Sequence, residues 1–579
     1  MWLLEPARLA QVFRDLSLYM QIKGENAFKT RAYDMAAEKL VAMSPADLER
    51  HVREATLTDL PGIGEGLAKK IDELVRTGRL ELVEAMRAEF PAGILTLLEL
   101  ADVGPKKVKA LFEGLGVGSV DALEAACRAG RVRTLKGFSE KSETKLLEAV
   151  AAFKARSSSA RFLWLDAKRA AQALYDVIAS APGVIRQSFA GSLRRGRDTV
   201  ADVDIVVSAA DASPVFERVV AHPSIAQVLG RGETKCSVIL KDSGLQIDVR
   251  VLPDEDFGTA LHHFTGSKAH HVHLRNVALT QGLSISEWGV FRGDTKLKAQ
   301  TEEALYALLG LPFIPPELRE DWGEIEAAAA GTLPVDLIEE RHIAGNVHAH
   351  TTWSDGKDSL EAMARAAQKM GLSYLTVTEH SASATYAGGL SRDALDRSWE
   401  EIDRVNEALV GFRLLKGIES DILEDGSLDY PDDVLEKFDV VIGSIHQRYG
   451  QDEAAMTARV LKAFDNPHLM IWGHATGRLL NKREPAAMDM DRILDRAAQK
   501  GIVIEVNGCP ERLDVKAEHA RAALKRGLKL VCSTDAHAVH ELPLHLPLSV
   551  ATARRGWARR GDVLNALPVD AFLKSVRRA

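Results

Sequence analysis

The sequence predicts a multidomain protein with an all-α N-terminal region, an α+β centre and a C-terminal parallel α/β barrel. Three observations carry that expectation. Glycine-rich hairpin turns recur between helical stretches in the first third. A Gly-Ser loop precedes strands that bear three aspartates in the middle. From His348 to His537, short apolar runs end one after another on residues of metal-ligand type.

At 579 residues the chain exceeds what one core holds and sets an expectation of three or four domains. Its 46% hydrophobic and 27% charged content is that of an ordinary globular protein. No run is apolar for long enough to span a membrane, and Met1 to Arg14 reads as a cytoplasmic helix rather than a leader peptide. Cys127, Cys236, Cys509 and Cys532 show no CxxC spacing, which excludes a disulfide framework and a zinc knuckle and leaves four buried reduced thiols. The net charge of −8 excludes a uniformly basic nucleic-acid binder. Phosphate contact depends on local patches and bound cations, so the motifs decide.

In the first third, Leu57 to Gly78 places a Pro-Gly-Ile-Gly turn, with Gly62 and Gly64, ahead of an apolar helix. Such a turn presents free amides at a helix start, a sequence-independent grip for phosphate. A second copy, Leu100 to Phe112, carries Gly104 and adds Lys106, Lys107 and Lys109. A third, degenerate copy runs from Leu135 to Lys145, with Ser139 where the second glycine belongs. One such turn caps many helices; three in series point to helix-hairpin-helix modules that hold the DNA backbone.

In the middle, Gly191-Ser-Leu-Arg-Arg-Gly196 precedes a strand in which Asp202 and Asp204, two apart, share a face on either side of the inward Val203. Asp248 lies on another strand, Leu245 to Val251. Three such carboxylates hold two magnesium ions, an arrangement that activates a hydroxyl and stabilises a leaving pyrophosphate.

In the last part the ligand-type residues are His348, His350, Asp355, His380, Glu419, His446, His474, Asp535 and His537. Most close an apolar run: Ile343 to His350, Tyr374 to His380, Leu414 to Glu419, Val440 to His446, Met470 to His474 and Leu528 to Asp535. In a parallel barrel the carboxyl ends of the strands form one face, so these residues converge there. Three ligands hold one catalytic ion with a position open for water, so nine provide for as many as three.

These motifs carry two resemblances. To about Pro315 the chain resembles the family X DNA polymerases: hairpin modules, Gly191-Ser192, Asp202 and Asp204, Asp248 and Phe264-Thr-Gly-Ser267 stand in family order. From about Glu340 it resembles a polymerase and histidinol phosphatase (PHP) domain with all nine ligand positions filled. The resemblance implies a helical lyase-like domain over 1–85, a fingers-like helical region over 86–155 and a nucleotidyltransferase palm over 156–255. It further implies a thumb over 256–315 and a distorted (β/α)7 PHP barrel over 340–579. Leu311 to Pro316 marks a boundary, and 316–339 reads as a linker helix that tethers the barrel.

By the same resemblance, Asp202, Asp204 and Asp248 bind two Mg²⁺, with Asp248 nearest the primer 3′-hydroxyl. Ser192 and Arg195 hold the triphosphate, Phe264 and Gly266 line the sugar and base pocket, His271 occupies the base-contacting position and Arg275 approaches the template. Lys70 aligns with a Schiff-base lysine. The barrel implies Mn²⁺ or Zn²⁺ and phosphoester hydrolysis, for which Arg478 and Arg512 are candidate phosphate clamps. The implied protein is a cytoplasmic monomer that acts on gapped or primed DNA with deoxynucleoside triphosphates and processes 3′ ends, cleavage at apurinic sites being within its class.

The chain departs from the pattern at His263 and His271 in the nucleotide pocket, and at Phe28 and Gly66 near the lyase lysine. The clustered His262, His263, His270, His271 and His273 read as DNA or nucleotide contacts. Two alternatives stay open: a nuclease whose polymerase half only clamps DNA, and a non-catalytic scaffold that binds DNA ends.

Overall fold

The structure, a computed structural model, describes residues 6–577 except 42, 44, 61, 78–79, 92, 101–102 and 158–160. The first five residues of the expected N-terminal helix, Pro61 of the first hairpin and Gly78 at its end lie outside the described residues. The chain forms two compact units, 1–160 and 161–579.

The first unit is helical. In Pro6–Lys23 the buried side chains Leu9, Phe13, Leu16 and Met20 fall at helical spacing on one face. They enter a single core that runs from Leu9 to Val150, so the expected division near residue 85 is not a division between cores. All three hairpin copies share one backbone bond, in which Ile63, Val103 and Phe138 donate to Leu60, Leu100 and Leu135 at 3.0, 3.2 and 3.0 Å. Gly62 holds φ +90°, a conformation that disfavours any side chain. Helices Glu65–Thr77, Pro105–Leu115 and Glu140–Ser157 follow the three turns.

The second unit opens with a five-stranded sheet in the order Val184–Phe189, Asp202–Ala209, Gln246–Leu252, Lys235–Leu240, Ile225–Arg231. The two strands that carry aspartates run parallel as neighbours, and the other pairs are antiparallel. Val203, Ile205 and Val207 alternate into a core with Ile247, Val249 and Val251, beneath helices Trp164–Ala179 and Ser213–Ala221. The opposite face carries Asp202, Asp204 and Asp248 and packs, through Val206 and Leu252, against helix Phe257–Thr265.

Residues 316–339 are not a linker. Leu318, Ile325, Ala328, Leu333 and Leu337 join Leu274 and Leu305 in one thumb core. Arg319 is wholly buried against Glu302. The prolines at 315 and 316 start a turn within that core rather than a free tether.

The barrel has seven parallel strands in sequence order: Gly345–Asn346, Tyr374–His380, Arg413–Asp421, Val440–Ser444, Ile471–Trp472, Val503–Asn507 and Leu530–Ser533. The sixth is absent from the sequence reading above, and three of the six expected runs contribute only short ladders, of two or four residues. The strands are buried on both faces, as the near-continuous apolar composition of a parallel sheet requires. The last strand closes on the first at the ligands themselves: Asp535 N–H donates to His348 O at 3.0 Å and His350 N–H to Ala536 O at 2.9 Å. At the opposite end, helix Val569–Val576 inserts Phe572 against Tyr374, ring centres 5.3 Å apart, and plugs the barrel. The ligand end alone is left for chemistry. No described helix is long and apolar enough to cross a membrane.

Two candidate metal-dependent active sites

In the palm, Asp204 and Asp248 sit opposite one another on the parallel pair, with Asp202 two residues before Asp204. Burial, then the charges of Asp202 and Asp248, push the Asp204 carboxyl up to about 7. Asp202 is raised by burial and by Asp248. Asp248 behaves differently, because hydrogen bonds from Lys235, Ser237 and Gln246 outweigh its burial and lower it; Lys235 Nζ lies 2.6 Å from its Oδ2. Unrelieved carboxylate repulsion in a half-buried site is what divalent cations satisfy. Gly191, at φ +60°, comes so near that a Cβ there would lie 2.5 Å from Asp204 Oδ2. Only glycine lets the Ser192 loop approach the triad this closely.

Both arginines of that loop are already paired. Arg194 grips Glu302 at 2.6 and 3.0 Å, and Arg195 Nε donates to Glu320 at 3.1 Å while its Nη1 donates to Thr265 O. Ser192 is half-buried beside them. Phe264 carries the Arg250 guanidinium on its face, 4.0 Å from the ring centre. Gly266 lies against Arg195, and Arg275 is exposed on helix Lys268–Thr280.

The histidine cluster corrects the expectation of DNA contact for two of its members. His262 and His270 are wholly buried, and His270 is fixed by Glu324 at 2.5 Å and Tyr306 at 2.8 Å. His273 is tied to Asp321 at 2.7 Å. His263 meets both Phe264 and His271 edge-on, with ring centres 4.8 and 4.6 Å apart. Burial, then His263 and Arg275, hold His271 down at about 4, so it is neutral.

At the barrel's ligand end all nine residues converge. His350, Asp355, His380 and His537 form one group of ligand atoms, His348, His350 and Asp535 a second, and His380, Glu419 and His446 a third. His474 Nε2 reaches Glu419 Oε1 at 2.7 Å. Asp355 is shared at 3.5 Å from His380 and 3.4 Å from His537. Six of the nine are buried and His446 is half-buried, while the Asp355 and His537 side chains are 35% and 29% exposed and mark the open side. Both oxygens of Glu419, both nitrogens of His350, His348 Nε2, His380 Nδ1 and His474 Nδ1 are buried without a hydrogen-bond partner. Buried polar atoms are otherwise satisfied almost without exception, so this convergence fits cations. His474 and Asp535 are held at positive φ, 20° and 50°, a strain of the kind functional sites store.

The charges of the cluster shift its members in opposite directions. Burial lowers His446, but Glu419 and Asp421 reverse this and raise it to about 9; Asp355 and Asp535 do the same for His537, also to about 9. Burial and two neighbouring imidazoles hold His350 down at about 3. Burial pushes Glu419 and Asp535 up, and the surrounding imidazoles outweigh it and lower both well below the carboxylate range.

The chain compares with known proteins along its whole length. Family models match at residues 5–80 (helix-hairpin-helix domain), 94–152 (SAM-like helix-hairpin-helix tandem), 260–320 (DNA polymerase beta thumb) and 346–508 (PHP domain). The DNA polymerase/3'-5' exonuclease PolX of Bacillus subtilis (strain 168) is 38% identical over 576 residues, 98% of this chain and 99% of that one. The chain belongs to the family X DNA polymerases with a C-terminal PHP domain. The PHP part alone is similar to a probable phosphatase of Thermoanaerobacter sp. (strain X514), 27% identical over 213 residues, 35% of this chain and 78% of that one. A probable phosphatase of Acetivibrio thermocellus is 26% identical over 209 residues, 34% of this chain and 80% of that one.

In this family X chain the remaining predicted residues divide. Arg512 faces the PHP cluster, its Nε 3.7 Å from Asp535, with Nη1 buried and unpartnered. Arg478 does not: it donates to the carbonyls of Arg512 and Leu513 and to Asp198 of the palm. Lys70 is half-buried on its helix and donates to Gly66 O at 3.0 Å. Lys106 and Lys107 are exposed beside Gly104, whereas Lys109 donates to Lys23 O within the helical unit. In the third hairpin, Ser139 and Ser142 satisfy one another's amides, so that turn keeps the family geometry and closes its phosphate grip.

Two functional side chains escaped the sequence reading. Glu505 accepts from His348 Nδ1 at 2.6 Å and from His474 N–H, and Asp421 accepts from His446 Nδ1 at 2.5 Å. Each fixes a ligand imidazole by its other nitrogen. The signal for Asp421 was its position two residues past Glu419 on one strand, the same spacing as His348 and His350.

Proposed function

We propose that the palm fills short gaps in DNA by template-directed transfer of deoxynucleotides and that the PHP barrel trims or cleans 3′ ends. The similarity to a protein named a DNA polymerase/3'-5' exonuclease over nearly the full chain supports it. One observation carries the reading: both acidic sites are complete, the triad on neighbouring parallel strands and the nine ligands around orphaned buried atoms.

Asp202, Asp204 and Asp248 would hold two Mg²⁺, and the nine barrel residues up to three Mn²⁺ or Zn²⁺. Bound there, such ions lower the pKa of an attacking hydroxyl or water and neutralise charge on phosphate. The chain's own groups do the rest. Lys235 keeps Asp248 ionised beside the primer terminus. Phe264, Gly266, His263 and His271 shape the sugar and base pocket, and Ser192 lies ready for the triphosphate. Gly62, Gly64 and Gly104, with Lys106 and Lys107, grip the DNA backbone, and Arg275 meets the template. Arg512, rather than the occupied Arg478, clamps the phosphate at the barrel. The substrates are gapped or primed DNA and deoxynucleoside triphosphates in the cytoplasm.

One observation favours the second reading, a nuclease with a DNA-clamping polymerase half: Arg195 is held by Glu320. Side-by-side assays with Mg²⁺ and Mn²⁺ separate the two. Primer extension across a gap and digestion of 3′ ends are both expected. Asp248→Ala abolishes only the first, and His350→Ala chiefly the second. Absence of incorporation with either metal selects the second reading, and loss of both activities in either variant refutes two separate sites.

A further inference from the structure

The nuclease cleft is built by two domains. Over the open side of the ligand cluster lies a cleft of about 590 Å³ whose floor includes Asp355, Asp535, His537 and Arg512. Its opposite wall comes from the polymerase palm, from Leu163 and the first turns of helix Trp164–Ala179: Leu165, Asp166 and Arg169. The volume suits a nucleotide-sized ligand.

Two cations in this cleft lack partners. The Arg169 and Lys357 side chains line it, are exposed and make no hydrogen bond or ion pair among the described residues. Arg169 does not pair even with Asp166 one turn earlier. Of the other acids in the lining, Glu511 holds Lys482 at 3.0 Å and Glu541 accepts from His537 N–H at 2.7 Å, while Asp166 is exposed. The apolar side chains of Leu163, Leu165 and Leu544 line the same cleft. A polyanionic strand with flat apolar bases matches this division of the walls, with phosphate on the cations and a base on the leucines.

We infer that Arg169 and Lys357 form a phosphate subsite for the nucleotide next to the scissile bond, so that the palm supplies part of the nuclease's grip on DNA. This rests on the nuclease reading above. Arg169 acts by positioning; among the described residues it makes no hydrogen bond or ion pair to the polymerase triad or to a ligand of the barrel cluster.

The test uses the full chain with Mn²⁺ and two substrates: a 5′-labelled oligonucleotide, and bis(p-nitrophenyl) phosphate, which has no second phosphate. In Arg169→Glu and Lys357→Ala the KM for 3′-end digestion should rise about tenfold, as loss of one charge-assisted phosphate contact implies, with kcat within about twofold. The slope of log KM against log salt should fall by about one. Hydrolysis of the small ester and primer extension should not change. An unchanged oligonucleotide KM in both variants overturns the subsite, as does an equal loss on both substrates, which marks damage to the cluster. A wild-type chain that cleaves the small ester and never DNA overturns the nuclease reading, and the subsite with it.

Discussion

Arg478 Nη2 lies 2.8 Å from Asp198 Oδ2, joining the barrel segment that follows His474 to the palm loop that precedes Asp202. Arg555 takes the other carboxylate oxygen at 2.7 Å. Burial alone would raise the Asp198 carboxyl; the two guanidiniums outweigh it and hold it below its ordinary value. A buried charge stripped of its partner is strongly destabilising, by roughly 3–5 kcal/mol. Asp198→Asn removes the carboxylate that both guanidiniums share and leaves Arg555 without its acceptor, so the free energy of unfolding measured by denaturation should fall by up to that order. Polymerase and nuclease activities should decline together, unlike in the triad and cluster variants. An unchanged midpoint would show that the two arginines find water or other acceptors.

Glu505 is the second prediction. It is wholly buried and holds His348 while also accepting from Ser533 Oγ at 2.6 Å. Partners that orient a ligand imidazole are worth about 10–100-fold in metal affinity. Glu505→Gln should weaken metal binding by that factor, and excess metal should restore digestion of 3′ ends. Metal titration followed by activity checks both halves; normal affinity with lost activity would place Glu505 in another role.

The convergence of the nine candidate ligands was legible because most of them are imidazoles or carboxylates that end or follow an apolar run, a pattern local in sequence. The strand Val503–Asn507 departs from that pattern, because Glu505 lies inside the apolar run, where it accepts from His348 Nδ1. Pairings between distant residues were not legible. Arg478 and Asp198 are 280 positions apart, and Arg195 and Glu320 are 125 apart, so no spacing links them. The stretch 316–339 looked like a tether because the prolines of Leu311 to Pro316 precede it and the run Ala327 to Ala330 lies within it. Its scattered leucines and isoleucine find their partners only on the thumb helices.

Arg195 and Glu320 are both mostly buried, and the carboxylate occupies a guanidinium expected to meet the incoming triphosphate. Nucleotide binding must then displace Glu320. A hydrogen bond to a charged group contributes about 1.5–3 kcal/mol. Glu320→Gln should weaken the competing contact and lower the KM for deoxynucleotides by up to about tenfold, with little change in kcat. Steady-state single-nucleotide incorporation measures this. A raised KM would mean that Glu320 positions Arg195 for the phosphates instead of competing with them.

Metal uptake at the barrel should be coupled to proton release. His446 and His537 both stand at about 9 in the metal-free protein, above the ordinary 6.5 of an imidazole. Their folded values are raised, so the stability they contribute is fully present below pH 6.5 and is lost as pH rises through about 9. A metal ligand must be neutral. At pH 7 these two imidazoles therefore give up one or two protons as cations enter, and above pH 10 almost none. Calorimetric titration with Mn²⁺ in buffers of different ionisation enthalpy should show this release shrinking as pH rises. The metal-free chain should also melt at progressively lower temperature from pH 6.5 to 9, while the loaded chain holds steady. Equal proton release at pH 7 and pH 10 would contradict the assignment of protons to the places of the metal ions.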